Sequence, residues 1–547
     1  MKKILLIILC ALGIKASAQP TIQLVKQFSN YSNYSNLVIL NNKLIMQGST
    51  TIEGDELWVS DGTTAGTTLL VDLLPGSSSA SPRFFKNALN KVLFVGYGAG
   101  FVNQLYITDA TAAGTFSLCA LNFAPEVLNS VPLGKEIAGK YFFCNNTSAE
   151  GSELWVTDGT VIGTQLVKDI NTGSNSSAPA CFEVLMGKLY FTADNGVNGI
   201  ELWQSDGTST GTVMVKDIVA GSGNSDITEI KAYNTKLYFG AGTDNELWQS
   251  DGTNTGTILL KDITPGVSSG PISFKECNGK LYFNAEGVAV SRELYETDGT
   301  SSGTILTSDI SVGGLSSFPS NFYTVNNKLF MTASTSALGR ELMLLNPSTN
   351  VVSLVKDVTP GSGNGVSLFF YPNDGAGIIP SKIANVGDSI FYAASESGFS
   401  DTQIWLTDGT VAGSFKLLYP ATTYSSATQY NLTTFNNEVY FYSDYLGTNG
   451  ISLYKVSGTT AGTTEMTKQE FSYNAFPNPS NGLITIKLLS LNETMNCEIT
   501  NVLGEIVYAS TIQNTVSTID TKYFKSGVYF LTIANSFSKS TKKIIIK

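Results

Sequence analysis

Most of the chain alternates apolar and polar residues in short runs that are closed off by Gly, Asn and Asp. The stretch from residue 278 to 310 shows the pattern: a polar turn at Asn278-Gly279, an apolar run at Lys280–Phe283, a second at Glu293–Thr297, an Asp298-Gly299 turn and a third run at Thr304–Ile310. A period of two with aromatic and β-branched side chains is the mark of strands and hairpins, and no sustained period of 3.6 competes with it. The run Glu56–Thr67 (ELWVSDGTTAGT) recurs as Glu153–Thr164, Glu201–Thr212, Glu246–Thr257 and Glu293–Thr304, and weaker copies begin at Gln104, Glu341, Gln403 and Ser452. Each is preceded by a short aromatic strand such as Leu44–Met46, Leu189–Phe191 or Val439–Phe441.

Nine such units of about 48 residues, each with four strands, predict an all-β chain with a single β-propeller of about nine blades over residues 19–468. Eight blades with one degenerate unit is the alternative. Residues Ile22–Phe28 have the character of a fourth strand yet stand before the first full unit. They are expected to complete the blade around Ser452 and fasten the ring, which removes the free sheet edges of an open arc.

The two ends follow other patterns. Lys2 and Lys3 precede an apolar run from Ile4 to Ile14, and Ala16-Ser17-Ala18 supplies small residues, so residues 1–18 are expected to be a removed signal peptide. No later segment reaches the ~18 uninterrupted apolar residues of a membrane-spanning helix, so no transmembrane anchor is expected. Beyond Lys468 the repeat stops. Strands at Leu483–Leu488, Ile499–Val507, Val528–Leu531 and Ile544–Ile546 predict a small antiparallel β-sandwich over residues 469–547.

Charge and composition narrow the chemistry. The formal charge is −11, and loss of Lys2, Lys3 and Lys15 with the signal takes it to −14, which disfavours nucleic acid and anionic lipid as partners. The chain has no His, which excludes Ser-His-Asp and Cys-His catalysis. Cys119, Cys144, Cys181, Cys277 and Cys497 show no paired spacing and read as separate thiols. Only three arginines occur, Arg83, Arg292 and Arg340, too dispersed for the convergent cluster of a sialidase-like site.

Asp61, Asp158, Asp206, Asp251, Asp298 and Asp408 each precede a Gly, and the five Trp share one motif position. Asp-Gly suits a turn that visits positive φ, so these carboxylates read as structural and the Trp as packing between blades. Calcium is the functional alternative for the Asp set, but one acid per blade lacks the density of a calcium loop, and no cofactor is expected. The run Glu-Leu-Trp-x-x-Asp-Gly-Thr-x-x-Gly-Thr resembles the ELWxxDGT repeat family of bacterial exported proteins and also the Asp-box turns of sialidase-like propellers. The tail, with Phe476-Pro477-Asn478-Pro479, Gly527-Val528-Tyr529 and a basic end, closely resembles the type A C-terminal sorting domain of the type IX secretion system of Bacteroidetes. That resemblance implies recognition by the secretion machinery and delivery across the outer membrane to the cell surface or the medium.

The one irregular interval, of 62 residues, carries an insertion within residues 359–386. Its Phe369, Phe370, Tyr371 and Asp374 form a candidate ligand-binding loop. The function expected is a secreted or cell-surface non-catalytic propeller that binds glycan, protein or another surface component or serves as a scaffold, with a purely structural surface-layer role as a further possibility. The alternative is a carboxylate-dependent polysaccharide-active enzyme with its site in the central channel, for which Asp226, Glu229, Asp374 and Asp388 are the acids to map.

Overall fold

The computed structural model describes residues 20–29, 36–121, 134–288, 291–361, 363–366, 383–396, 402–417, 429–443, 451–457, 473–488, 495–501, 506–512, 514–534 and 539–547. The signal segment and the 369–374 loop lie outside these residues. The chain divides into two units, Met1–Thr459 and Thr460–Lys547.

The first unit contains nine four-stranded antiparallel sheets. Blades 1 to 8 span residues 38–71, 83–120, 135–168, 180–216, 231–261, 272–308, 320–356 and 383–416. Blade 4 shows the common plan, with strands Ala180–Leu185, Lys188–Asp194, Ile200–Ser205 and Val213–Lys216 paired in chain order. Blade 9 takes three strands from residues 429–457, and its fourth is Thr21–Lys26 from the other end of the chain, with Gln23 opposite Lys455 and Ile22 opposite Val456.

The apolar side chains explain why these sheets assemble. A four-stranded sheet buries little on its own, and its two faces must both be covered. The cores here lie between blades: Ile45 of blade 1 meets Phe85 and Phe94 of blade 2, and Tyr190 of blade 4 meets Leu237 and Phe239 of blade 5. The series closes on itself, because Met46 and Trp58 of blade 1 share a core with Tyr442 and Leu453 of blade 9. Tyr442 also donates its hydroxyl to the Gln47 carbonyl at 2.7 Å. Successive blades touch through their first strands, as 272–277 with 320–325 and 383–386 with 429–435, so the first strands line the axis of the ring. The fold is therefore a propeller of nine blades.

The second unit is a small β-sandwich. A three-stranded sheet (Tyr473–Phe476, Leu483–Leu488, Val516–Asp520) faces a four-stranded one (Ile506–Ile512, Met495–Thr500, Gly527–Ala534, Lys539–Ile546). Ile484, Ile486, Cys497, Ile499, Leu531, Ile533 and Ile544 fill the space between them.

The N-terminal strand closes the ring chiefly through Ile22, which is buried beside Phe391, Ile404, Phe441 and Tyr454. Ile22→Ala should cost about 3 kcal/mol in guanidinium unfolding, the usual range for an aliphatic residue cut back in a packed core. A loss below about 0.5 kcal/mol, the level of a surface substitution, would show that this strand does not secure blade 9.

Candidate functional site

The Asp-Gly-Thr segments are self-contained hydrogen-bonded turns. Asp61 Oδ1 accepts from the Thr63 amide at 2.8 Å and the Thr63 hydroxyl at 2.7 Å. Thr63 Oγ1 accepts from the Gly66 amide at 2.9 Å, and the Thr67 hydroxyl donates to the Thr63 carbonyl at 2.6 Å. The same bonds recur from Asp158, Asp206, Asp251, Asp298 and Asp408. Gly66 is required because a Cβ there would lie 2.0 Å from the Asp61 carboxylate. Asp109, followed by Ala110 rather than Gly, builds the same turn with Ala110 at a φ of 71°. The hydrogen bonds from Thr lower the carboxyl pKa of Asp61, Asp109, Asp158, Asp206, Asp251 and Asp298.

The motif Glu has a role that the sequence reading did not assign. It is buried and accepts amide hydrogen bonds from the segment that leaves its own blade for the next. Glu153 receives Ile170 N at 2.8 Å, Ser177 N at 2.9 Å and the Ser177 hydroxyl at 2.5 Å. Glu246 and Glu293 are held alike, with Ser269 and Ser317 supplying the hydroxyl. In three blades that hydroxyl bond is missing: Ala80 stands at the position beside Glu56, Gly365 beside Glu341, and Ser225 donates instead to the Ile200 carbonyl. These are the three whose burial, less offset by hydrogen bonds, pushes the carboxyl up to about 7. The Glu-to-Ser spacing of 23 or 24 residues was the signal in the sequence that could have revealed this tie.

The remaining polar candidates are also engaged. Arg83 donates to the Ser81 carbonyl and Asn103, Arg292 to the Gly270 carbonyl and Asn284, and Arg340 to the Phe318 carbonyl and Thr332. Glu229 accepts from the amides of Ser273 at 2.7 Å and Phe274 at 3.2 Å, one to each oxygen. Asp388 accepts from Asn326, whereas Asp226 is marked only by a left-handed backbone, with φ 57°. The five described cysteines are free, and burial pushes the thiols of Cys181 and Cys497 up to about 11, away from the reactive thiolate form. Among the described residues no group of three or more His, Cys, Asp or Glu is placed to hold a metal, and no helix is long and apolar enough to cross a membrane.

One blade opens a pocket. In blade 4 seven residues separate Ala193 from its partner Glu201, and the tip folds back so that Asn198 donates to Asp217 at 2.9 Å. In blade 5 only four separate Ala241 from Glu246, which accounts for the short 45-residue repeat interval. The cover is lost, and a cavity of about 300 Å³ remains between this hairpin and the 218–220 loop. Trp248 and Leu259 form its apolar wall, with Asp244, Asp262 and Glu246 at its polar side. Trp203, the blade 4 counterpart, is 6% exposed, whereas Trp248 is half-buried, as is Trp155 of blade 3, and Asp262 is exposed. The packing role read for the Trp set thus extends to an open face in blade 5.

Residues 474–547 match the secretion system C-terminal sorting domain family. This tail indicates handling by the type IX machinery and export to the cell surface or the extracellular space. No curated protein matches the chain. Among solved structures, the chain is similar to PorZ, described as an essential bacterial surface component of the type-IX secretion system of Porphyromonas gingivalis, at 12% identity over 94% of this chain and 86% of that one, with a TM-score of 0.24. It is also similar to puromycin hydrolase at 12% identity over 68% of this chain and 60% of that one, TM-score 0.34. Prolyl oligopeptidase B from Galerina marginata is similar at 12% identity over 70% and 55%, TM-score 0.35.

The Glu ties give stability a definite pH sense. Glu56, Glu201 and Glu341 hold protons near pH 7 when folded and release them near 4.5 when unfolded, so their contribution falls as pH rises from about 4.5 to 7. The turn aspartates act oppositely, and their contribution is lost only below about pH 3.8. Thermal unfolding should therefore occur at a higher temperature at pH 5 than at pH 8. Ala80→Ser, which restores the hydroxyl to Glu56, should add about 1 kcal/mol at pH 8 and flatten this dependence. An unchanged pH profile in the variant would refute the assignment.

Proposed function

We propose that the protein is a non-catalytic binding propeller, carried out of the cell by its sorting tail, that takes a neutral sugar ring of a surface or extracellular glycan in the blade 5 pocket. The observation that carries this reading is the uncovered Trp248 beside Asp244 and Asp262. An indole face packs against the C–H side of a sugar while carboxylates accept its hydroxyl protons, and about 300 Å³ lies at the small end of ligand pockets. The site is built on one short hairpin of an otherwise regular ring, where a loop can vary without disturbing the cores.

The non-catalytic part of the proposal is supported by how the acids are occupied. The turn aspartates hold Thr63 and its counterparts, the motif glutamates hold the inter-blade segments, and both Glu229 oxygens hold blade 6 amides. The motif glutamates and Glu229 thus use their oxygens to hold the fold. Calcium is likewise not proposed, because the turn carboxylates already have their donors.

Titration of neutral oligosaccharides against the tail-free propeller tests the reading, with tryptophan fluorescence as the readout. Binding should perturb the emission, and Asp262→Ala should weaken it by about tenfold, the effect of losing one hydrogen bond to a charged acceptor. Trp248→Ala should abolish the signal, with Asp262→Ala guarding against a folding defect. Unaltered affinity in Asp262→Ala, or no sugar bound across a glycan array, would reject the pocket.

A further inference from the structure

The hairpin between the second and third strands of a blade and the link that leaves its fourth strand emerge at the same end of the sheet, opposite the Asp-Gly-Thr turns. Four links end in the same turn, in which the residue before a proline holds a positive φ and donates its amide to the carbonyl of the residue preceding a motif Glu. Ser81, Ala178 and Gly270 donate in this way to Asp55, Ser152 and Asn245, and Phe318 donates to Arg292 at 3.2 Å. A left-handed backbone is unfavourable for a bulky side chain, and small residues fill three of the four places. Phe318 takes the fourth although its ring is largely in water and gains little from any core. Three residues earlier, where the first two of these links have Ser78 and Asn175, the links on either side of blade 6 have Val267 and Leu315.

These exchanges gather around one hairpin. The Thr264 hydroxyl donates to the Glu286 carbonyl and the Glu286 amide to the Ser269 carbonyl, each at 2.8 Å, which fastens the link from blade 5 to the blade 6 hairpin. The Ser291 hydroxyl donates to the Gly314 carbonyl at 2.6 Å and the Arg292 amide to Ser316 Oγ at 3.2 Å, which fastens the link to blade 7 on its other side. On these three segments Val267, Val288, Val312, Leu315 and Phe318 are between 50% and 79% exposed. None of the five lines the blade 5 pocket, so the inference does not rest on the sugar reading. The charge beside them is in negative excess. Asp262 and Glu286 are exposed and Asp309 is half-buried, and residues 262–271, 286–292 and 309–319 include no lysine. Their one arginine, Arg292, is held by Glu286 at 3.7 Å and by the Gly270 carbonyl at 2.7 Å.

We propose that this apolar surface of the blade 6 hairpin and its two links docks a polypeptide whose own apolar side chains are flanked by lysine or arginine. Apolar side chains grouped in water on neighbouring segments and rimmed by charge mark an interaction surface. The charge selects the partner. An anionic lipid surface is met through lysine and arginine, and here the rim is acidic. A second copy would set the same acids against each other, whereas a basic polypeptide meets Asp262, Glu286 and Asp309 with opposite charge. A sugar would lose water from its hydroxyls against valine and leucine without gaining hydrogen bonds, while apolar side chains bury there at no such cost.

Fluorescence anisotropy of a labelled synthetic peptide, alternating Lys with Leu, Val and Phe, titrated with the full chain tests this. Two companion peptides replace every Lys by Glu or every apolar residue by Ser, and phosphatidylglycerol vesicles serve as the lipid arm. The basic apolar peptide should bind, and both companions should bind at least about tenfold more weakly, since apolar burial and opposite charge are both required. Leu315→Ser with Phe318→Ser should weaken binding by about tenfold or more. Because Ser78 and Ser81 stand at the same two places after blade 1, the double variant should unfold at no lower temperature than the parent. Val161→Ser with Ile162→Ser, an exposed apolar pair in the Asp-Gly-Thr turn of blade 3 at the opposite end of the strands, should bind like the parent. Unchanged affinity in the Leu315, Phe318 variant, equal binding of the Glu peptide, or binding to the vesicles but not to the peptide would overturn the proposal. So would a lowered unfolding temperature in that variant, which would mean that the chain itself covers these side chains.

Discussion

Everything in this protein depends on the fact that none of its sheets owns a core. The apolar faces of each blade are covered only by the blades on either side, so the first and last must meet or leave two large faces in water. The meeting is made by Thr21–Lys26, which pairs with Ser452–Ser457 across almost the whole sequence of the ring. Tyr442 of blade 9 then donates its hydroxyl to the Gln47 carbonyl of blade 1. The mixed-parentage blade makes closure a property of the chain as well as of its surfaces.

Two polar devices keep the ring regular. The Asp-Gly-Thr turn satisfies its own amides at the rim, and the motif Glu gathers amides from the segment crossing to the next blade. Each is local, so it can be copied from blade to blade, and each consumes the carboxylate it uses. Copying fails at the shortened blade 5 hairpin, which is where the proposed site lies.

The architecture was readable because a repeat multiplies a weak local signal. One ELWxxDGT run suggests a hairpin, and nine in step with nine aromatic strands point to blades, about nine with eight as the alternative, and to the orphan strand at the start. Even the three-residue deficit at Ala241–Glu246 was visible as an interval. The pocket beside it was not, since the contact of Asn198 with Asp217 that fills the corresponding place in blade 4 is made only by folding. The tail was legible for a different reason, because its pattern of Pro, Gly and basic residues is distinctive within a single copy.

The most direct measurement of ring closure is a cross-link between the two ends. Gln23 and Lys455 are register partners on adjacent antiparallel strands, which places them within the Cα separation a disulfide accepts. The Gln23→Cys, Lys455→Cys pair should oxidise under native conditions to an intramolecular bond, seen by mass spectrometry as one peptide joining residues 23 and 455. Thermal unfolding of the oxidised form should shift upward. A pair that stays reduced, or that links only between molecules, would contradict the closed propeller.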